Sequence, residues 1–432
     1  MITVIGAGSG KAENLSLLAY KTIKSAESVV LKTEKMPIKN LLEEENIPFE
    51  TLDDIYDTAE DFDSLNAAIK ARLTEKGSCV YIVHGSAIDD TSVRVLEDVN
   101  IIPGVSVADC VASFLNVVSD VKAYTTTEIF EGEILSVHQD NIITCIDSTL
   151  IASDLKCLLS EIYGDEFSVK YYTEDFSGNQ TSKEIMLYEL DMQETYNHTT
   201  SIFLKKVDFD NVYRYDIKHL LDIMEKLCGR NGCPWDSVQT HESLRPYLIE
   251  EAYEVADAID KDDPYRLYDE LGDVLYQIVF HANIAKRCGE FDFIDITDAI
   301  SRKMINRHPQ IFSDADVNEN INDFWEETKK KEKGLKTTYE VMCDVPESLA
   351  SLARAEKMLH KAEKAGIKQE DVQQTILKIK SFLSDENLEN EEVLGELLFE
   401  TVKLCRALKV HPELALNRKI RSYIDEFNKK EC

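Results

Sequence analysis

Two hydrophobic periodicities divide this chain. Up to about residue 205, short β-rich apolar runs alternate with helical segments. Runs at 2–5, 28–31, 79–83 and 100–102 predict strands, and Leu17, Leu18 and Ile23 between the first two fall at helical spacing, giving a βαβ opening. The strands run into small-residue loops, with Gly6, Gly8 and Gly10 after the first, Gly85 after 79–83, and Pro103-Gly104 after 100–102. Such loops are where an open α/β sheet places its ligands. The first loop is neither a dinucleotide fingerprint, whose final glycine would fall at Lys11, nor a P-loop, since Gly-Lys-Ser/Thr is missing. From 141 the order is strand, helix (151–163), then β-rich runs at 169–172, 184–190 and 201–204, which predicts a second lobe ending in antiparallel strands.

Residues 207–212 read as a linker, and beyond them the period becomes helical for the rest of the chain. Leu244, Leu248, Ala252, Val255 and Ile259 line one side of a predicted helix, and Leu267, Leu271, Val274 and Ile278 one side of the next. Asp263-Pro264 supplies the break, with Pro at a helix start. The fold class is therefore multidomain: a two-lobed α/β domain followed by an all-α helical bundle. Predicted boundaries are 1–206 for the α/β domain, 213–340 for the first helical domain and 341–432 for a second helical repeat. Two helices with apolar backs expose too much hydrophobic surface for a lone hairpin, so a homodimer is expected.

Charge narrows the function. Against 48 basic side chains stand 81 acidic ones, a net −33, which opposes binding to nucleic acid or anionic membrane. The start of the chain leads straight into a strand and turn, and no apolar run reaches membrane-spanning length, so a cytoplasmic protein is expected. Ten cysteines lack a Cys-x-x-Cys pair or a disulfide spacing and are expected to be buried thiols.

Candidate chemistry concentrates between Gly232 and Asp273. Glu251 and Glu254 are three apart, as are Glu270 and Asp273, which in a helix sets each pair on one face. Two such helices packed face to face converge four carboxylates, an arrangement that a divalent cation must neutralise. Oxygen-only ligands point to Mg2+, with Mn2+ the other candidate, rather than zinc. In so acidic a chain the spacing alone is a weak signal, and most acidic helix faces are solvated. Context raises it, because the carboxylates follow Gly-Cys-Pro-Trp-Asp at 232–236 and Gln-Thr-His-Glu-Ser-Leu at 239–244.

With those residues the region resembles the all-α MazG-type nucleoside triphosphate pyrophosphohydrolases, whose signature is Glu-Glu-x-x-Glu, a spacer, then Glu-x-x-Asp; every position is kept, from Glu250 to Asp273. The resemblance implies hydrolysis of nucleoside triphosphates to monophosphate and pyrophosphate, with Glu251, Glu254, Glu270 and Asp273 holding the metal and Glu250 completing the catalytic set. It also implies nucleotide contacts from Lys303, Arg307, Trp325 and Lys329: cations facing the phosphates and an aromatic ring near the base. Residues 341–432 resemble a decayed second copy, in which Val393 stands where Glu270 does. The N-terminal part resembles the tetrapyrrole methylase superfamily through Gly6, Gly8 and Gly10 and through Pro103 and Gly104, with His84-Gly85-Ser86 standing where the family has Pro-Gly-x-Pro; the resemblance implies two α/β lobes and S-adenosylmethionine as a cofactor against these residues and Gly85. Two other readings stand beside this one: an S-adenosylmethionine-dependent methyltransferase whose helical part is regulatory, and a non-catalytic nucleotide-sensing module.

Overall fold

The computed structural model describes residues 1–313 apart from 57, 60 and 89, together with 328, 332–368, 370–384 and 390–431. The chain divides into two compact units, Met1–Ser237 and Val238–Cys432.

In the first unit, strands β1 (Ile2–Gly6), β2 (Val29–Leu31), β3 (Phe49–Thr51), β4 (Cys79–Val83) and β5 (Asn100–Ile102) form a parallel sheet of order β3-β2-β4-β1-β5. Parallel strands are covered on both faces, and side chains alternate between them. Ile5, Leu31, Val80 and Ile82 enter one core with Ala19 and Ile23 of the helix Leu17–Lys24, whereas Val4, Val30, Tyr81 and Val83 enter the other with Ile69 and Leu73 of the helix Phe62–Lys76. The near-continuous apolar runs of the sequence follow from this two-sided burial.

The second lobe holds β6 (Val121–Thr125), β7 (Asp140–Thr144), β8 (Ser168–Glu174), β9 (Gln180–Met186) and β10 (Ser201–Leu204) in the order β6-β7-β10-β8-β9. Only β6 and β7 pair in parallel, so the predicted antiparallel finish is present. One face packs on the helix Thr149–Tyr163 and the other on the helix Val107–Phe114. The run read as a strand over 184–190 leaves the sheet after Met186. Leu187 and Leu190, three apart, both enter the core, and the Glu189 carboxylate accepts from the Met186 N–H at 2.8 Å, which suits the three-residue repeat of the 3-10 turn Leu187–Met192. The helix Ile217–Cys228 belongs to this first unit.

The second unit is helical throughout its described residues, with His241–Asp260, Pro264–Cys288 and Phe293–Arg307 followed by the helices of residues 338–431. No described helix is long and apolar enough to cross a membrane. Cys79, Cys110 and Cys228 are buried as expected, but Cys157, Cys288 and Cys343 are exposed on helices, so burial is not general to the cysteines.

Candidate active site and metal centre

The two carboxylate helices begin where local chemistry dictates. Thr240 caps His241–Asp260 by accepting from the Ser243 N–H, and Asp263 caps Pro264–Cys288 by accepting from the Arg266 N–H at 3.1 Å with Pro264 in the first turn. The second helix stops at Gly289, whose φ of 74° supplies the left-handed cap. The helices pack on each other, with Leu244 and Ala258 of the first buried and Val279, Phe280, Ala282, Ile284 and Ala285 of the second buried. The predicted apolar stripe is only partly used, because Ile259, Leu271 and Ile278 stay exposed.

This packing brings Glu251, Glu270 and Asp273 together, with one carboxylate oxygen from each within 4.8 Å of the other two. Glu254 stands against Glu270, whose charge, followed by burial, pushes the Glu254 carboxyl above its ordinary range. Burial, then the charges of Asp273, Glu254 and Glu270, raises Glu251 in the same way; Asp273 is raised by burial and by Asp269 and Glu270. Glu250 is exposed and outside the three-carboxylate group. Three oxygen donors whose charges oppose one another fit a hard divalent cation, and Glu251, Glu270 and Asp273 are the residues that would hold it.

Sequence reasoning missed the resident cation. Arg266 donates from Nε to Glu270 Oε1 at 3.0 Å and from Nη1 to Asp257 Oδ2 at 2.9 Å. Its spacing four residues before Glu270 was the available signal. Also unforeseen is the stacked pair His241 and His281, with their Nδ1 atoms 2.7 Å apart.

Of the predicted nucleotide contacts, Lys303 is exposed on the helix Phe293–Arg307. Arg307 is buried at the end of that helix and ion-paired with Glu332 through Nη2, with Nε 3.3 Å from Oε1. Trp325 and Lys329 lie outside the described residues.

In the first unit the glycine loops meet at the ends of β1 and β4. A Cβ on Gly104 would lie 2.1 Å from the Gly6 carbonyl oxygen, and one on Gly6 2.6 Å from that of Gly85, so backbone contact alone requires glycine there. Pro103, itself exposed, leads into that contact. The loop donors are committed to one another: Ala7 N–H to Val83 O, Gly8 N–H to Gly85 O, Gly85 N–H to Gly8 O and Gly10 N–H to Ala7 O. These four N–H groups hold the loops together rather than facing a ligand. Beside them His84 and His198 lie with ring centroids 3.4 Å apart, each with a buried Nε2 lacking a partner among the described residues.

A family model described as MazG nucleotide pyrophosphohydrolase domain matches residues 239–312, and one for tetrapyrrole (corrin/porphyrin) methylases matches residues 1–166. Over all of the chain and 94% of the relative, the sequence is 31% identical to the uncharacterised protein YabN of Bacillus subtilis. It is 39% identical to the nucleoside triphosphate pyrophosphohydrolase/pyrophosphatase MazG of Thermotoga maritima, covering 50% of this chain and 85% of that one. It is 37% identical to the nucleoside triphosphate pyrophosphohydrolase of Escherichia coli K12, covering 50% and 87%. With carboxylates paired on two packed helices, and with identity of 31–39% along 94% of one relative and most of two others, the chain belongs to the MazG nucleotide pyrophosphohydrolase family, in the form that joins the helical part to an N-terminal tetrapyrrole methylase-like domain.

Proposed function

We propose that the helical part hydrolyses nucleoside triphosphates between the α and β phosphates, adding one water and releasing a nucleoside monophosphate and pyrophosphate, with Mg2+ (Mn2+ as substitute) as its metal. The observation that carries this is the convergence of Glu251, Glu270 and Asp273 from two packed helices. Magnesium held there supplies charge neutralisation and lowers the pKa of a water it holds. Glu254, next to Glu270, positions that carboxylate, and Glu250 at the solvent edge is placed to orient a water. Lys303 is free to swing toward a phosphate from its exposed helix face. Arg307, already paired with Glu332, acts on nucleotide only if that pair opens. Trp325 and Lys329 keep their proposed roles near base and phosphate.

Leu271, Leu275 and Ile278 on the second carboxylate helix are exposed, at 50%, 37% and 36%, which supports a homodimer that covers them. Light scattering at micromolar concentration checks the mass, and Leu271→Glu with Ile278→Glu should shift it to the monomer. The division at 1–206, 213–340 and 341–432 remains a proposal. A fragment starting near Asn211 carries the helix Ile217–Cys228 with it and should keep triphosphate hydrolysis.

The test uses purified protein, Mg2+ and a panel of canonical and modified triphosphates, with products identified by chromatography. Glu251→Gln and Asp273→Asn should remain folded and lose several orders of magnitude in turnover. Glu391→Gln, on an exposed helix start in the second repeat, should leave turnover unchanged. Near-parental rates in both site variants would mean that the carboxylates are only a solvated helix face. S-adenosylmethionine is outside this reading, and a calorimetric titration that detects it would restore the methyltransferase alternative.

A further inference from the structure

The first unit has a set of metal-ligating side chains of its own. His138 lies in the loop before β7, Asp216 is the N-cap of the helix Ile217–Cys228, and His219 sits in that helix's first turn. Asp216 Oδ2 is 2.9 Å from His138 Nε2, and Asp216 Oδ1 is 2.7 Å from His219 Nδ1. The two imidazole rings face each other with centroids 4.1 Å apart, and one ligand atom from each of the three residues lies within 4.8 Å of the others. Side-chain exposure falls from 46% at Asp216 through 21% at His138 to 3% at His219, so the cluster opens to solvent on one side and is backed by protein on the other. Phe209 and Tyr215 form part of that backing, with ring centroids 6.2 and 5.4 Å from His219.

His219 Nδ1 has a single in-plane lone pair, and the Asp216 backbone N–H points to it at 3.1 Å. If Nδ1 accepts that bond, it faces Asp216 Oδ1 as one acceptor against another at 2.7 Å. If Nδ1 carries a proton for the carboxylate, the backbone N–H loses its acceptor. A cation held by Nδ1 and Oδ1 would take that same lone pair, replacing the proton as the bridge between the two atoms. Among the described residues, no lysine or arginine pairs with Asp216.

We infer that His138, Asp216 and His219 form a second divalent-metal site, separate from the carboxylate centre and selective for an imidazole-preferring ion of the zinc class. Two nitrogens and one carboxylate oxygen suit zinc, and disfavour the all-oxygen preference of magnesium. Its frame is already built. The Val207 N–H donates to the Val137 carbonyl at 2.9 Å and the Lys206 N–H to Asp140 Oδ1 at 2.8 Å, which seats the segment leading to Asp216 beside the loop of His138. His138 and Asp216 are 78 positions apart, so a bound ion would cross-link the second lobe to the start of the helix and act as a staple.

The test uses the full chain carrying Glu251→Gln and Asp273→Asn to silence the carboxylate centre, stripped with chelator and titrated with zinc chloride by calorimetry and with cobalt(II) chloride by visible absorption. The expected result is one equivalent of zinc bound at micromolar concentration or tighter, with cobalt d–d bands and a melting temperature several degrees higher with zinc. His138→Ala should weaken binding at least tenfold and abolish the zinc-induced rise in melting temperature. If His138→Ala fails to fold, His138→Gln, which keeps a polar partner for Asp216, takes its place. Absence of zinc binding in the parent, leaving the contact bridged by protons, overturns the site. So does stoichiometric binding that survives removal of His138.

Discussion

Arg266 reaches forward along its own helix to Glu270, Nε to Oε1 at 3.0 Å, while its Nη1 holds Asp257 of the neighbouring helix at 2.9 Å. The guanidinium thus lies where a metal would also draw Glu270, and cation and metal compete for one carboxylate. Arg266→Met should therefore tighten Mg2+ binding about fivefold, a modest gain because the pair is solvent-screened. The same change should lower the melting temperature in chelator and have little effect in saturating Mg2+. Calorimetric Mg2+ titration of both proteins decides this, and an affinity unchanged or weakened would remove Arg266 as a competitor.

Glu254 and Glu251 should not respond alike. Glu251 offers an oxygen to the three-carboxylate group, whereas Glu254 stands against Glu270 outside that group. Glu254→Gln is expected to cost about 10- to 100-fold in activity, as for a group that orients a ligand. Glu251→Gln should cost at least ten times more than that. Steady-state kinetics over a Mg2+ series separates the two, because the Glu254 loss should be partly recovered at high metal. Equal losses that metal does not recover would place both carboxylates in the same role.

The first unit should be acid-sensitive through His84 and His198. Burial, then the neighbouring charges of His198 and Lys32, holds His84 well below the ordinary imidazole range; burial, then Lys32, lowers His198 to about 3. Both are neutral in the fold, so the unfolded chain binds more protons below about pH 6.5, and stability is lost as pH falls from there toward 3. Each contributes a slope of about 1.4 kcal/mol per pH unit inside that window. Melting curves between pH 6.5 and 5 should show roughly half the parental slope in His198→Gln. An unchanged slope would assign the acid sensitivity to other groups.

Two glycines predict opposite signs for the same substitution. Gly104→Ala forces a Cβ to within 2.1 Å of the Gly6 carbonyl oxygen, a backbone overlap expected to destabilise the first unit by about 3 kcal/mol or more. Gly395→Ala, within the helix Glu391–Ala407 and with nothing within 4 Å of the new methyl, should stabilise by about 1 kcal/mol. Urea unfolding followed by circular dichroism measures both.

Much of the architecture was legible from the order of residues. Each face of the first sheet is covered, so four of its five strands show as consecutive apolar positions and were read directly, whereas the short edge strand Phe49–Thr51, with Glu50 exposed at its centre, gave no such run. The break at Asp263-Pro264 was equally plain, because a capping carboxylate followed by proline leaves the backbone one easy course. Spacing of three along a helix is likewise a one-dimensional property, and it put Glu251 with Glu254 and Glu270 with Asp273 before any packing was known.

Which carboxylates meet was decided only by the way one helix lies on the other. That packing grouped Glu251 with Glu270 and Asp273 and left Glu254 beside them. It also buried Val279 and Phe280 while leaving Leu271 and Ile278 of the predicted stripe open, since a helix rotation that the 3.6-residue period does not specify selects the buried face. Arg307 looked like a phosphate ligand by spacing, yet its partner Glu332 is 25 positions away, a pairing no local pattern encodes. The same holds for His138 with Asp216, 78 positions apart: the chain's order sets which ligand types exist, and only tertiary contact brings their atoms to one point.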